Sequence, residues 1–198
     1  GLPLRPTAGG QVYLSPPPLY LYILALHQAL WRAGELSGRL LSTLCAAGVV
    51  VGAWLLTDLL RPRGDRWRPF GPLAAASLVA VHPLVIRLGS SAEFEMLLAL
   101  WTTATLVCVL MAERRDSKRL YVLTGVLLGL ALLTKALALL LLVSLGLYWL
   151  LRYGWRAFRM PGPYLVSGTA LAIFALWFVY GLLADRTLFM LSLHRWVG

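Results

Sequence analysis

The chain is predicted to be all-α: a polytopic membrane helix bundle of about six transmembrane helices, preceded by one helix lying in the membrane interface. Composition is the first reason. Hydrophobic residues make up 60% of the chain, charged residues only 13%, and the mean hydropathy is +0.77, far outside the range of soluble domains. Spacing is the second: long apolar runs recur at lengths close to the roughly 20 helical residues needed to cross a bilayer core. The third is where the basic residues stand, in short stretches between the apolar runs, as cytoplasmic loops do. The net charge of +10 therefore reports membrane orientation, and no nucleic-acid partner is expected.

Residues 1–18 hold Pro3, Pro6, Gly9, Gly10 and Ser15-Pro16-Pro17-Pro18, which forbid a regular helix and read as an outer loop. Helical patterning resumes at 19–34, where Tyr20, Tyr22, His27, Gln28 and Trp31 are mixed among leucines. This segment is too short and too amphipathic to span, and reads as an interfacial helix. From 35 to 198 the chain reads as one incomplete transmembrane domain, with spans at 39–60, 70–89, 94–112, 120–134, 136–151 and 163–184. Gly48 and Gly52 give the first span a small-xxx-small face for close packing. His82-Pro83 loosens the last turns of the second. Cys45 and Cys108 fall inside apolar runs and read as inert packing residues rather than a disulfide. With no initiator Met and no cleavable signal, the chain reads as a piece of a longer polytopic protein.

Orientation follows from three basic loops. They carry Arg61, Arg63, Arg66 and Arg68, then Arg114, Arg115, Lys118 and Arg119, then Arg152, Arg156 and Arg159, so all three belong in the cytoplasm. Between any two of them the chain must cross the membrane an even number of times. Residues 120–151 must then form a hairpin that turns near Lys135, with the turn recessed in a wet cavity. The same parity places Glu93, Glu95, Lys135, Asp185, Arg186 and His194 together on the outer face.

The stretch Gly89-Ser90-Ser91-Ala92-Glu93-Phe94-Glu95-Met96 puts two carboxylates, one residue apart, between two apolar runs. Acids at membrane depth are costly and usually serve a task. Glu93 and Glu95 are candidates to bind an acceptor or cation or to assist proton transfer; the alternative is a solvated acid at the start of the next helix. Lys135 is a candidate seat for a phosphate, the alternative being a lysine that snorkels to the interface. His194 with Arg195 reads either as a metal ligand and phosphate contact or as interfacial anchoring. His27 reads as an interfacial polar residue, and His82 as a partner for carbonyls freed by the following proline. The common motifs of soluble chemistry, such as CxxC, a Walker loop, GxSxG or HExxH, are not present.

In order along the chain, Val12-Tyr13-Leu14-Ser15-Pro16-Pro17-Pro18-Leu19-Tyr20, Glu35-Leu36-Ser37-Gly38-Arg39-Leu40, Ala92-Glu93-Phe94-Glu95-Met96-Leu97-Leu98 and Gly129-Leu130-Ala131-Leu132-Leu133-Thr134-Lys135 resemble the protein-mannosyltransferase and aminoarabinose-lipid A transferase superfamily, the GT-C membrane glycosyltransferases. The likeness covers nearly the whole chain. It implies sugar transfer from a polyprenyl-phosphate donor to an acceptor glycan, lipid or protein on the extracytoplasmic face of a bacterial plasma membrane. By position it gives Glu95 the place of the family's second-loop acid, with Glu93 beside it as the other candidate catalytic carboxylate. Lys135, Arg186, Arg195 and Tyr20 become contacts of the lipid phosphate, and His194 the ligand of an optional divalent metal; no other cofactor is implied. The chain departs from the family pattern where Pro16 stands in place of Lys or His and Ser15 in place of an acid. The family's catalytic Asp, in the loop after a first span, has no counterpart here, so the fragment is expected to be inactive alone. A lipid-linked-sugar transporter or flippase and a non-catalytic membrane scaffold are the competing readings.

Overall fold

The computed structural model describes residues 7–8, 11–12, 19–31, 35–62 and 70–184. Before the first helix, Thr7–Ala8 pairs antiparallel with Gln11–Val12, so the segment read as a loop carries one minimal ladder. Among the described residues the other main elements are α-helices: α1 (Leu19–Trp31), α2 (Glu35–Leu60), α3 (Phe70–Ala80), α4 (Pro83–Gly89), α5 (Phe94–Arg115), α6 (Lys118–Thr134), α7 (Leu139–Tyr153) and α8 (Pro161–Ala184). Short 3₁₀ turns at Ala136–Ala138 and Gly154–Arg159 flank α7. The bundle that composition predicts is the bundle observed.

Among the described residues, four helical segments are long and apolar enough to cross a membrane: Leu36–Leu60, Phe94–Arg115, Ala136–Arg159 and Pro161–Tyr180. The expected span 70–89 is corrected in its form. It is two helices bent by 59° at the break between Ala80 and Pro83, nearer its middle than its last turns. Pro83 has no N–H to continue the ladder. The role expected for His82 is also reversed: its Nδ1 accepts a hydrogen bond from the Leu84 amide at 3.2 Å, as an N-cap, and it does not satisfy a freed carbonyl.

At 17 residues α6 is shorter than the four candidate spans, yet it runs back along α5. Asp116 takes a left-handed conformation (φ 45°), which a short Asx side chain tolerates better than most residues, and the chain reverses at once into α6. Near that turn the Cys108 thiol meets the Leu120 carbonyl at 3.5 Å, and at the far end Lys135 meets Glu95. Both cysteines are buried and free.

Glycine lets the helices close in. A Cβ at Gly48 would lie 2.5 Å from Leu100 Cδ1, and one at Gly52 would collide with Thr103, so the small-residue face of α2 is where α5 packs. The same holds between α6 and α8, where a Cβ at Gly125 would stand 2.7 Å from the Val166 carbonyl oxygen. The core forms as two clusters along α5. One gathers Val109, Leu128, Leu132 and Val166 from α5, α6 and α8; the other gathers Tyr20, Leu41, Cys45, Met96 and Leu97 from α1, α2 and α5. That second cluster floors the acidic loop.

Candidate functional site

Phe94 and Glu95 open α5, with Glu93 at the N-cap position in extended conformation (φ −120°, ψ 151°) and making no side-chain cap bond. The alternative in which Glu93 exists to cap this helix is therefore not what the side chain does. The loop is tied down through its backbone instead: Ser42 Oγ donates to the Glu93 carbonyl at 3.4 Å, and Thr43 Oγ1 to the Gly89 carbonyl at 2.9 Å. Both hydroxyls come from α2, one helical turn below Arg39.

Lys135 follows the end of α6 in extended conformation (φ −157°, ψ 127°), its amide bonded to the Ala131 carbonyl at 3.0 Å. Its ammonium reaches across to α5. Nζ lies 3.6 Å from Glu95 Oε1, with the two side chains 37% and 34% exposed, and 4.8 Å from the centre of the Phe94 ring. Phe94 in turn takes Tyr20 in an edge-to-face contact, ring centres 6.1 Å apart. Tyr20 is 9% exposed, and its hydroxyl has no hydrogen-bond partner among the described residues. Burial first, then the nearby Cys45 thiol and the Glu95 and Glu93 carboxylates, push this phenol above its ordinary range, so it stays a neutral donor. Elsewhere on α1, His27 Nδ1 lies 2.9 Å from Ser37 Oγ.

Of the residues singled out from sequence, Tyr20, Glu95 and Lys135 thus meet around Phe94, with Glu93 exposed at the rim. Arg186, His194 and Arg195 lie outside the described residues, as do most of the outer loop, the Tyr13–Pro18 part of the first motif, Asp185, and Arg63, Arg66 and Arg68 of the first basic loop. Among the described residues no group of three or more His, Cys, Asp or Glu side chains is placed to hold a metal ion. The carboxylates of this loop do not make a metal site by themselves.

The bundle also holds an apolar groove of about 370 Å³, lined by Leu19 and Tyr22 of α1, Leu133 of α6 and Ile173, Leu176, Trp177 and Tyr180 of α8. Leu133 is two residues from Lys135 and Leu19 is adjacent to Tyr20 along the chain, but the walls themselves hold none of Tyr20, Phe94, Glu95 and Lys135. No sequence periodicity marked this groove, because its walls come from three helices distant in the chain.

Sequence reasoning also missed a second carboxylate site, at the opposite end of α5. Glu113, read as part of a basic loop, has a side chain only 5% exposed. It accepts hydrogen bonds from Tyr148 Oη at 2.7 Å and Trp149 Nε1 at 2.9 Å, and Arg152 stands 3.6 Å away. Tyr148, Trp149 and Arg152 share one face at the end of a leucine-rich run, and that clustering of polar-tipped residues was the available signal. At this same end Arg114 donates to the Leu59 carbonyl, which holds α5 to α2. The ends of α2, α5, α6 and α7 near Arg61, Arg114, Lys118 and Arg152 therefore gather on one side of the bundle, away from Glu95 and Lys135.

Comparison with known families gives this geometry its context. A family model described as dolichyl-phosphate-mannose-protein mannosyltransferase matches residues 15–180. No curated protein and no solved structure matches the chain. The family match runs from Ser15 through the acidic loop, Lys135 and the groove-lining part of α8, and the helical bundle agrees with it throughout. The chain is an integral membrane protein that belongs to the dolichyl-phosphate-mannose-protein mannosyltransferase family, a group of GT-C membrane glycosyltransferases.

Proposed function

We propose that the chain transfers a sugar from a polyprenyl-phosphate donor to an acceptor hydroxyl or amine on a glycan, lipid or protein, on the extracytoplasmic side of the membrane. One observation carries the reading: a lysine ammonium pairs with the Glu95 carboxylate over an aromatic ring, in a chain of this family whose bundle also holds an apolar groove. A donor of this kind has a long hydrocarbon tail, a single phosphate and a sugar. The groove supplies apolar walls for the first, and Lys135 a cation for the second.

The chemistry is a displacement at the anomeric carbon. The bond from that carbon to the phosphate oxygen breaks, the bond to the acceptor oxygen or nitrogen forms, and the acceptor loses its proton. The leaving phosphate gains charge as it departs, and a fixed ammonium in poorly hydrated surroundings is most useful at that moment. When the phosphate replaces Glu95 as the partner of the Lys135 ammonium, Glu95 loses its counter-charge and becomes a carboxylate for the acceptor proton. Glu93, exposed two residues earlier, is the second. Arg186 and Arg195 add positive charge from the segment after α8.

The test is transfer by the full-length protein in proteoliposomes, supplied with radiolabelled polyprenyl-phosphate sugars and an acceptor extract. Label should move from the lipid to the acceptor and leave free polyprenyl phosphate behind. Movement of intact lipid-linked sugar across the bilayer without consumption would overturn this in favour of a transporter. Failure to bind or consume any such donor would favour a scaffold.

A further inference from the structure

We infer that Phe94 is a positioning residue for Lys135: the face of its ring sets where the ammonium waits for an incoming phosphate. This deepens the reading above and rests on it for the ligand class.

The ion pair alone does not fix Lys135. At 3.6 Å it is longer than the roughly 2.7–2.9 Å of a charge-assisted hydrogen bond, and both side chains are a third exposed. A lysine stem has four rotatable carbons, and nothing about a loose pair confines it. The Phe94 ring supplies a second contact, 4.8 Å from Nζ to the ring centre, within the range in which a ring face attracts a cation.

That ring is itself held. It belongs to the first residue of α5, and the edge of Tyr20 packs against it with the planes at 68°, while Tyr20 is 9% exposed. The two attractions on Lys135 also differ in kind. A carboxylate competes with a phosphate for the ammonium, because both are anions. A neutral ring does not, and it keeps attracting the cation while the partner anion is exchanged. Phe94 between Glu93 and Glu95 therefore lets the ammonium change partners without losing its place.

These 198 residues hold two lysines, Lys118 and Lys135, and a Lys118→Arg background leaves Lys135 alone among them to label. The full-length protein in nanodiscs is treated with an acylating amine reagent, and the product at Lys135 is counted by mass spectrometry. Phe94→Trp and Phe94→Tyr, which keep a ring face, should label within about twofold of the parent, while Phe94→Leu should label roughly two- to fivefold faster. The donor KM should rise by a similar factor in Phe94→Leu, with kcat unchanged and the aromatic variants close to the parent. Phe94→Met replaces Leu should the latter not fold. If the Leu or Met variant labels and transfers like the parent while the aromatic variants are impaired, the ring only fills space and the inference is overturned. Added polyprenyl phosphate should slow labelling. If it does not, while labelling still follows the ring, Phe94 retains its positioning role and Lys135 loses its phosphate.

Discussion

Glu95 and Glu113 stand at opposite ends of α5, each with a cation 3.6 Å away, and what surrounds the two pairs differs. Glu113 is 5% exposed and accepts hydrogen bonds from Tyr148 and Trp149, with Arg152 also bonded to Tyr148 at 2.5 Å. Its oxygens are satisfied, and the whole cluster ties α5 to α7. Glu95 is a third exposed and accepts no hydrogen bond from any described residue; its partner Lys135 also lies over the Phe94 ring. Distance alone would rate the two pairs equal. The carboxylate whose oxygens are hydrogen-bonded is built to stay as it is, and the one without such bonds is built to exchange a partner.

The sharpest way to break this comparison is to remove each carboxylate and measure stability. Glu113→Ala strands the buried Trp149 indole N–H and the half-buried Tyr148 hydroxyl, while Arg152, 53% exposed, is screened by solvent; the unsatisfied donors should cost about 1–3 kcal/mol. Glu95→Ala removes half of a solvent-screened pair and should cost about 1 kcal/mol or less. Thermal unfolding in detergent reads both. Equal losses at the two ends would mean that the Glu95 pair is structural as well.

Activity should reverse the order. Lys135→Ala removes the cation proposed to meet the leaving phosphate, and loss of one such preorganised group costs transfer about 10²–10³-fold with the melting temperature nearly unchanged. Lys135→Arg keeps the charge but not the compact ammonium, and should recover part of that loss. Donor turnover by Lys135→Ala within a few-fold of the parent would take Lys135 out of the site. A smaller effect tests what carries Lys135. Gly125→Ala places a methyl 2.7 Å from the Val166 carbonyl oxygen, forcing α6 from α8 at about 1–3 kcal/mol. Its unfolding midpoint should fall accordingly. A substitution without effect would show that the α6–α8 contact has slack.

How much of this was legible in the chain follows from the same contrast. Bundle class, the alternation of ends and the meeting of Glu95 with Lys135 came from hydropathy and the placement of arginines, because the bilayer forces both. Cys45 and Cys108 were read correctly because burial in apolar runs leaves a thiol little else to do. The break between α3 and α4 was assigned to the wrong depth: a proline marks where a helix can break, whereas packing decides how far it bends. Glu113 was missed because charge counting assigns every residue near an arginine run to the loop. Its burial depends on Tyr148 and Trp149, which arrive 35 and 36 residues later. The ring between Lys135 and Tyr20 was invisible for the same reason, since Phe94 looks like any apolar residue at the start of a span.

The smallest expected effect discriminates most finely, because it concerns one oxygen atom. Tyr20 keeps a buried hydroxyl without a partner among the described residues, and such a group carries a desolvation cost that phenylalanine lacks. Tyr20→Phe retains the edge-to-face contact with Phe94 and should leave stability unchanged or raise it by up to about 1 kcal/mol. Were the hydroxyl a donor to the lipid phosphate, the same substitution would remove one neutral hydrogen bond from the bound state, worth about 0.5–1.5 kcal/mol, and the donor KM would rise by the matching factor. Stability and donor affinity therefore move in opposite senses if the open end of α5 is kept underbonded for a ligand. Calorimetry and transfer kinetics on the one variant decide it: a drop in stability with an unchanged KM would make Tyr20 a packing residue and the two ends of the helix more alike than their surroundings indicate.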